Sequence, residues 1–475
     1  MISALLLLTN LGLVEDPLPE PDPAVTRAAL EHHLRFLASD ELLGRAMATP
    51  ESLRVSAYLA GALESFGIDP GGGGGGYFHD VPLLVTRHAR TPSAHLVLAD
   101  GETLELRHGV DFTVDVVGNA SATGELPVTL VRSTEDLPDE PDAGRALVVD
   151  YSKRKGLGLL EERGWDRGEG FGLVVRARTG SEGRPAGKPT RRVERAWLAG
   201  EDEPEVMTIR GDPAAMLWDG EARAVALDLE VTREAFGERN VVGILPGVGL
   251  PDQPELAREV VVLSAHFDHV GVLPGADPET SEEDVIRNGA DDDASGTAVL
   301  LELAEALAAG PPPARTVVFL FCAAEEAGMW GTYYWAENPT VPLERVVANL
   351  NIEMLGRPDE LLEGPGHAWL TGYERTNLGQ RLEELGIVVH ADPRPSLNLF
   401  QRSDNIVFVK EGIVGQTLST GGDNPNYHKV TDEVDTMDFE HLTESARLAL
   451  RIANALADGS VTPSWREGEP NLSRR

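Results

Sequence analysis

The chain has 475 residues, enough for about three domains or for one large domain carrying an insertion, and its 41% hydrophobic and 25% charged content is that of a globular protein. A net charge of −37 repels phosphate backbones and anionic lipid, so no nucleic-acid partner is expected. A single cysteine, Cys322, excludes an intrachain disulfide framework and any Cys-rich metal site, which leaves His, Asp and Glu as ligands for any metal.

The chain opens on an apolar run, Ile2 to Val14, interrupted by Thr9, Asn10 and Gly12. It falls short of the roughly 20 residues a spanning helix needs, so no integral membrane span is expected. The run resembles the apolar part of a secretory leader over residues 1–22, although no Lys or Arg precedes it. Export to the periplasm or the exterior is the expectation, with a frayed N-terminus of a cytoplasmic protein as the alternative.

After the Pro-rich stretch Pro17 to Pro23, apolar residues recur at helical spacing over Ala24 to Phe36 and Ser52 to Phe66. Gly71 to Gly76 lacks the Gly-Lys-Ser/Thr ending of a phosphate loop and reads as a flexible connection into a strand around Tyr77 to Val85. From Ala94 to Leu229 short alternating apolar pieces are broken by Gly, Pro and Asp, a strand-rich pattern. Within it the basic stretch Arg176 to Arg195 reads as an exposed loop.

From Asn240 the pattern changes. Continuous apolar strands (Val260 to Ser264, Thr316 to Phe321, Val346 to Leu350) alternate with helical segments (Ser295 to Leu307, Thr376 to Leu385, Phe439 to Leu456). Fully buried strands alternating with helices predict an α/β fold: a mixed, largely parallel central sheet flanked by helices, here with an inserted β-rich domain. The expected organisation is a leader over 1–22, the N-terminal part of the main domain over 23–93, the insertion over 94–235, the main domain again over 236–457 and a tail over 458–475.

Chemistry-bearing residues follow these strands. His266 and Asp268 come directly after Val260 to Ser264, and carboxyl ends of strands are where open α/β sheets form sites. Asp268 is placed to accept the second ring N–H of a metal-bound His266, with His269 a less favoured ligand. Asp291, Asp292 and Asp293 stand at a helix start; capping explains one or two of them, and three close carboxylates repel unless a cation lies between them. Glu325 and Glu326 follow Thr316 to Phe321, Glu353 follows Val346 to Leu350, and Tyr427 and His428 follow Ile413 to Leu418.

His266-Phe267-Asp268, Gly289 to Gly296, Glu325-Glu326-Ala327-Gly328, Asn351-Ile352-Glu353-Met354 and Tyr427-His428 resemble the ordered metal motifs of the M28 zinc metallopeptidases. Leu37 to Arg45 resembles the opening of these enzymes as well. The separations between His266, Asp292, Glu326, Glu353 and His428 are 26, 34, 27 and 75 residues. The resemblance implies two Zn2+ ions bridged by Asp292, one also held by Glu326 and His428, the other by His266 and Glu353. It implies a cis peptide between Asp292 and Asp293. The family's usual residue at the Glu353 position is aspartate, so the longer side chain here changes the reach of that ligand.

By the same resemblance Glu325 is the general base. Tyr427 is either an oxyanion donor or a ring packed beside the ligand. The implied activity is a zinc-dependent exopeptidase, an aminopeptidase removing N-terminal residues from a peptide or small protein substrate. The alternatives are carboxypeptidase or glutaminyl cyclase chemistry on the same scaffold, or a receptor-like binding protein without catalysis. The insertion resembles the protease-associated type, faintly, at Gly144 to Asp150. Asp291 and Asp404 are candidate anchors for a substrate α-ammonium.

Overall fold

The computed structural model describes residues 25–115, 122–150, 170–179, 191–196, 205–362, 364–422 and 424–472. The expected leader lies outside the described residues. No described helix is long and apolar enough to cross a membrane.

The main sheet is built on four parallel strands, in the spatial order Val414–Ser419, Val346–Ile352, Val260–His266, Thr316–Cys322. Their unbroken apolar character follows from burial on both faces. Val261, Leu263, Ala265, Val317, Phe319 and Phe321 share one core with the apolar faces of helices Arg27–Leu37, Pro50–Ser65, Gly296–Ala309 and Phe439–Ala457. The intervening residues Val260, Val262, Val318 and Leu320 pack with Trp335 and Phe408, from helices Trp330–Glu337 and Asn405–Lys410. Deleting one of these large buried side chains would cost about 3–5 kcal/mol.

Further strands extend both edges of this parallel centre, paired antiparallel except for Trp369–Leu370 with His390–Ala391. Val231–Leu245 lies beside Thr316–Cys322 and is followed by Phe78–His88 and Arg191–Arg195, while Trp369–Leu370 and His390–Ala391 lie beyond Val414–Ser419. The whole is a mixed α/β sheet with a parallel core.

A second, eight-stranded sheet draws its strands from between Ser93 and Leu229 and has its own core, including Leu96, Phe112, Val148, Val175, Ile209 and Leu227. Two features differ from the sequence reading. Gly211–Asp219 is a helix packed on this core, closed by Gly220 in a left-handed conformation. Residues 176–178 of the basic stretch end strand Leu173–Arg178 of the second sheet, and Arg191–Arg195 is a strand on the edge of the main sheet rather than part of an exposed loop. Its alternation explains this: Val193 packs toward Val81, Leu83 and Val85, while Glu194 lies 3.0 Å from Arg192 and 3.5 Å from Arg233. Residues 180–190 of that basic stretch lie outside the described residues.

The chain leaves Val260–His266, passes through helix Gly296–Ala309 to the neighbouring strand Thr316–Cys322, then crosses to Val346–Ile352 on the opposite side. Loops diverging from one central strand leave a crevice at its carboxyl end. His266 is the last residue of that central strand.

Candidate metal centre

Parallel register brings the strand ends flush. His266 pairs with Cys322 on one side and Ser264 with Asn351 on the other, so the residues following each strand emerge at one edge. Glu325 and Glu326 follow there, with Ala324 held at φ +56°, and Glu353 follows with Met354 at φ +53°. His428 itself has φ +56°. Non-glycine residues rarely adopt this left-handed conformation, and three of them adjoin or carry candidate ligands.

The Asp291–Asp293 segment enters the same crevice from the start of helix Gly296–Ala309. The peptide Asp292–Asp293 is cis. Gly289 precedes this segment with φ +57°; a Cβ there would meet the Asp292 carbonyl at 2.3 Å and the His269 ring at 2.5 Å, so only glycine fits.

Two groups of possible ligands share Asp292. The first is His269, Asp292, Glu326 and His428; the second is His266, Asp292 and Glu353. Ligand atoms within each group all lie within 4.8 Å of one another. Asp292 Oδ1 lies 3.5 Å from His266 Nε2, while its Oδ2 lies 3.2 Å from His428 Nε2 and 3.8 Å from His269 Nδ1. One carboxylate thus turns an oxygen toward each group. Glu326 completes the first group, its two oxygens 2.8 Å from His269 Nδ1 and 3.1 Å from His428 Nε2.

The electrostatics fit divalent cations. Among the described residues, His266 Nε2, His269 Nδ1, Asp292 Oδ2, Glu326 Oε1 and His428 Nε2 are buried and converge on one another without hydrogen-bond geometry. Buried polar atoms are ordinarily satisfied. Burial raises the carboxyls of this cluster, and the facing imidazoles oppose it unevenly. Burial and neighbouring carboxylates push Glu353 up to about 7. Burial works against the charged form of His428, yet Asp292 and Glu326 hold it up at about 9. Burial would raise Asp292 too, but His266 and His428 draw it well below the usual carboxylate range. A cation between the groups removes the repulsion.

The structure gathers all seven residues singled out by sequence, His266, Asp292, Glu325, Glu326, Glu353, Tyr427 and His428, around this crevice. Glu325 Oε2 lies 3.9 Å from His266 Nε2, and burial raises its carboxyl well above the ordinary value. Tyr427 stacks its ring on His428, centroids 3.9 Å apart at 21°, and lines the cavity beside Glu353.

Three departures from the sequence reading concern supporting residues. Asp268 does not use its carboxylate to fix the His266 ring: the nearest oxygen is 4.0 Å from Nδ1, which instead lies 3.2 Å from the Asp268 carbonyl. His269, the less favoured candidate, lies within the first ligand group. Asp291 and Asp404 are fully buried and already engaged, so neither is open to a substrate ammonium. Asp291 accepts from the Gly356 N–H at 2.8 Å and from Asn424 at 2.9 Å, and Asp404 accepts from Thr332 at 2.5 Å.

Arg45 was not visible as a site residue. It is completely buried and donates to five main-chain carbonyls: Phe267 at 2.6 Å, Gly289 at 2.7 Å, Leu37 at 3.1 Å, Asp292 at 3.2 Å, and Asn288. Burial lowers its pKa, and the carboxylates of Asp292, Asp293, Asp268 and Asp432 oppose that. The planar guanidinium ties both ligand-bearing loops to the N-terminal segment. A second support lies opposite: Asp432 accepts the main-chain N–H of Asp291 and of Asp292 at 3.2 Å, and Arg357 holds Asp432 at 2.9 Å.

Residues 240–453, which carry every one of these ligands, match the model of peptidase family M28. This segment is similar to the M28 peptidases. Among curated relatives, "Probable glutamate carboxypeptidase AMP1" of Arabidopsis thaliana is 27% identical over 396 residues, 75% of this chain and 53% of the relative. Aminopeptidase YwaD of Bacillus subtilis is 25% identical over 249 residues, covering 48% of each protein. The chain thus spans about half the length of the curated relatives it matches. Among solved structures, an aminopeptidase from Aneurinibacillus sp. strain AM-1 superposes with TM-score 0.55 at 18% identity, over 91% of this chain and 94% of that one. BSAP, a zinc aminopeptidase from Bacillus subtilis, gives TM-score 0.51 at 16% identity, over 92% and 95%. Both superpositions extend well beyond residues 240–453, so the overall fold is shared as well as the ligand-bearing sheet.

Proposed function

We propose that this protein is a zinc-dependent exopeptidase, an aminopeptidase acting on the unblocked ends of peptides or small proteins. The observation that carries the reading is the pair of ligand groups sharing Asp292, with the Glu325 carboxylate beside them. His269, Asp292, Glu326 and His428 would hold one zinc ion; His266, Asp292 and Glu353 would hold the other. When bound, such a pair supplies Lewis acidity at the scissile carbonyl and lowers the pKa of an attacking water.

The chain's own residues do the rest. Glu325 takes the proton from the attacking water on its carboxylate and returns it to the leaving amine. Asp268 holds the backbone of both glutamates, fixing where that carboxylate stands. The Tyr427 hydroxyl donates to the developing oxyanion, while its ring steadies His428. Strand ends and buried loops hold these groups on a rigid frame, which limits the reorganisation needed during reaction. The chain's net charge of −37 favours the approach of a free ammonium, and so of unblocked N-termini. The strand-rich insertion would restrict access to short or terminal segments, and its deletion should then relax length selectivity. The apolar N-terminal run remains the basis for proposing export.

The test combines metal analysis of the purified protein with hydrolysis of unblocked and N-blocked aminoacyl amides. Two zinc equivalents and cleavage of the unblocked series alone are expected. In Glu325→Gln both metals should remain while turnover falls by about two to four orders of magnitude. Retained turnover in that variant, or cleavage confined to blocked substrates, would reject the reading.

A further inference from the structure

Beside the metal centre lies a cavity of about 210 Å³, with Glu353 and Tyr427 at the edge facing the ligands. Trp369, Leu397 and Leu399 supply apolar wall. The volume is below the range usual for drug-sized ligands and suits a single amino-acid residue rather than an extended peptide. Its position next to the candidate metal ligands makes it the place for the residue adjoining the scissile bond.

Two charged side chains line this cavity, Glu353 and Arg402. Glu353 belongs to a ligand group and accepts from Ser403. Arg402 is different. It is an exposed residue at the rim of the cavity, and among the described residues its guanidinium has neither an ion pair nor a hydrogen-bond partner, so it is free to meet a ligand. Neighbouring cations are spent. Arg357 pairs with Asp291 and Asp432, and Arg394 lies 2.6 Å from Asp359.

The backbone carrying Arg402 is well anchored. The adjoining Ser403 hydroxyl receives the Asn351 amide at 2.7 Å, and Asn405 donates to the Phe400 carbonyl at 3.1 Å. Tyr427 lines the same cavity. A planar, permanently charged fork beside an apolar wall and next to the reacting centre is the chemistry that recognises a carboxylate in two-point fashion.

We propose that Arg402 makes this cavity selective for a substrate residue bearing a carboxylate. The proposal rests on the exopeptidase reading above. The carboxylate has two possible sources: an acidic side chain on an N-terminal residue, or the free α-carboxylate of a C-terminal residue. Arg402 is then a specificity-determining residue, contacting substrate and transferring no proton.

The test uses the full-length zinc-loaded protein and its Arg402→Gln and Arg402→Lys variants. Glutamyl and leucyl p-nitroanilides report the first source; N-acetylated dipeptides ending in a free carboxylate, against their amides, report the second. The preference in kcat/KM for the carboxylate-bearing member of one pair should fall at least tenfold in Arg402→Gln, mainly through KM, and be partly restored in Arg402→Lys. The pair that responds identifies the source. Calorimetric binding of free glutamate against free leucine separates this proposal from the peptidase reading. Arg402-dependent preference for glutamate in a protein that hydrolyses none of the substrates upholds the pocket and rejects the peptidase. Hydrolysis with a selectivity that Arg402→Gln leaves unchanged does the reverse.

Discussion

The carboxylate of Asp268 accepts the main-chain N–H of Glu325 at 2.9 Å and approaches that of Glu326 at 3.4 Å. One buried aspartate two residues beyond His266 therefore positions the proposed general base and a proposed ligand through their backbones. Burial raises its carboxyl to about 7, with His266 opposing. In Asp268→Asn an amide donor replaces one acceptor, so an N–H would face an N–H at the cost of a buried unmade bond, about 1–3 kcal/mol. Turnover should fall by about tenfold or more, with zinc content unchanged. Normal kcat in that variant would show that the glutamate backbone needs no such support.

Arg45 donates to five buried main-chain carbonyls. Gly289 also accepts from the Ala294 N–H, but Arg45→Met would remove the side-chain donor from all five and should lower thermal stability by several kcal/mol. Arg45→Lys should retain part of that stability, and zinc should bind it more weakly than the native protein in calorimetric titration. Native zinc affinity in a folded Arg45→Lys protein would confine the residue to a scaffolding role.

His269 Nδ1 is an unsatisfied buried atom in the first ligand group. His269→Ala should weaken one of two metal-binding events by about tenfold or more and alter the visible spectrum of the cobalt-substituted protein. Two unaltered binding events would place His269 among packing residues.

Metal binding should be linked to folding because the ligand groups come from distant segments. Zinc at about 100 times its Kd should add about 2.7 kcal/mol of stability, and removal by chelation should reverse that. Differential scanning calorimetry across a zinc series checks this; a Tm independent of zinc would contradict the site.

Away from the centre, His441 supplies a pH-dependent contribution. It is fully buried in helix Phe439–Ala457, its Nδ1 accepts the Gly366 N–H at 3.0 Å and its Nε2 lies 3.2 Å from Ser445. Burial lowers its pKa to about 4, with Asp438 opposing and His367 assisting. The folded value lies below the ordinary 6.5, so the unfolded chain takes up the proton first. The contribution, up to about 3 kcal/mol, is complete above about pH 6.5 and is lost as pH falls toward about 4. Denaturant unfolding of His441→Gln should show a shallower slope over that window.

Much of the architecture was readable in one dimension because buried parallel strands leave long apolar runs. Val260 to Ser264, Thr316 to Phe321 and Val346 to Leu350 announced themselves this way, and the candidate ligands stand just past their ends. Helix Gly211–Asp219 and strand Arg191–Arg195 did not, since the first is too short for a clear period and the second is largely basic. Residue type and spacing could name Asp268, Asp291 and Asp404 as available carboxylates, but not say which atoms were already bonded.

What the linear order determined is which chemical groups stand at the exits of the buried strands, because apolar burial on both faces dictates where each strand stops. Tertiary structure decided how those groups are used: Asp268 on two backbone amides, Asp291 and Asp404 sealed inside, His269 among the ligands, and Arg402 free beside a cavity. Such assignments depend on partners far apart in sequence, as when Asp432 holds the amide of Asp292, 140 residues away. Hydrogen bonding is short-ranged and directional, so only the folded register determines which donor meets which acceptor.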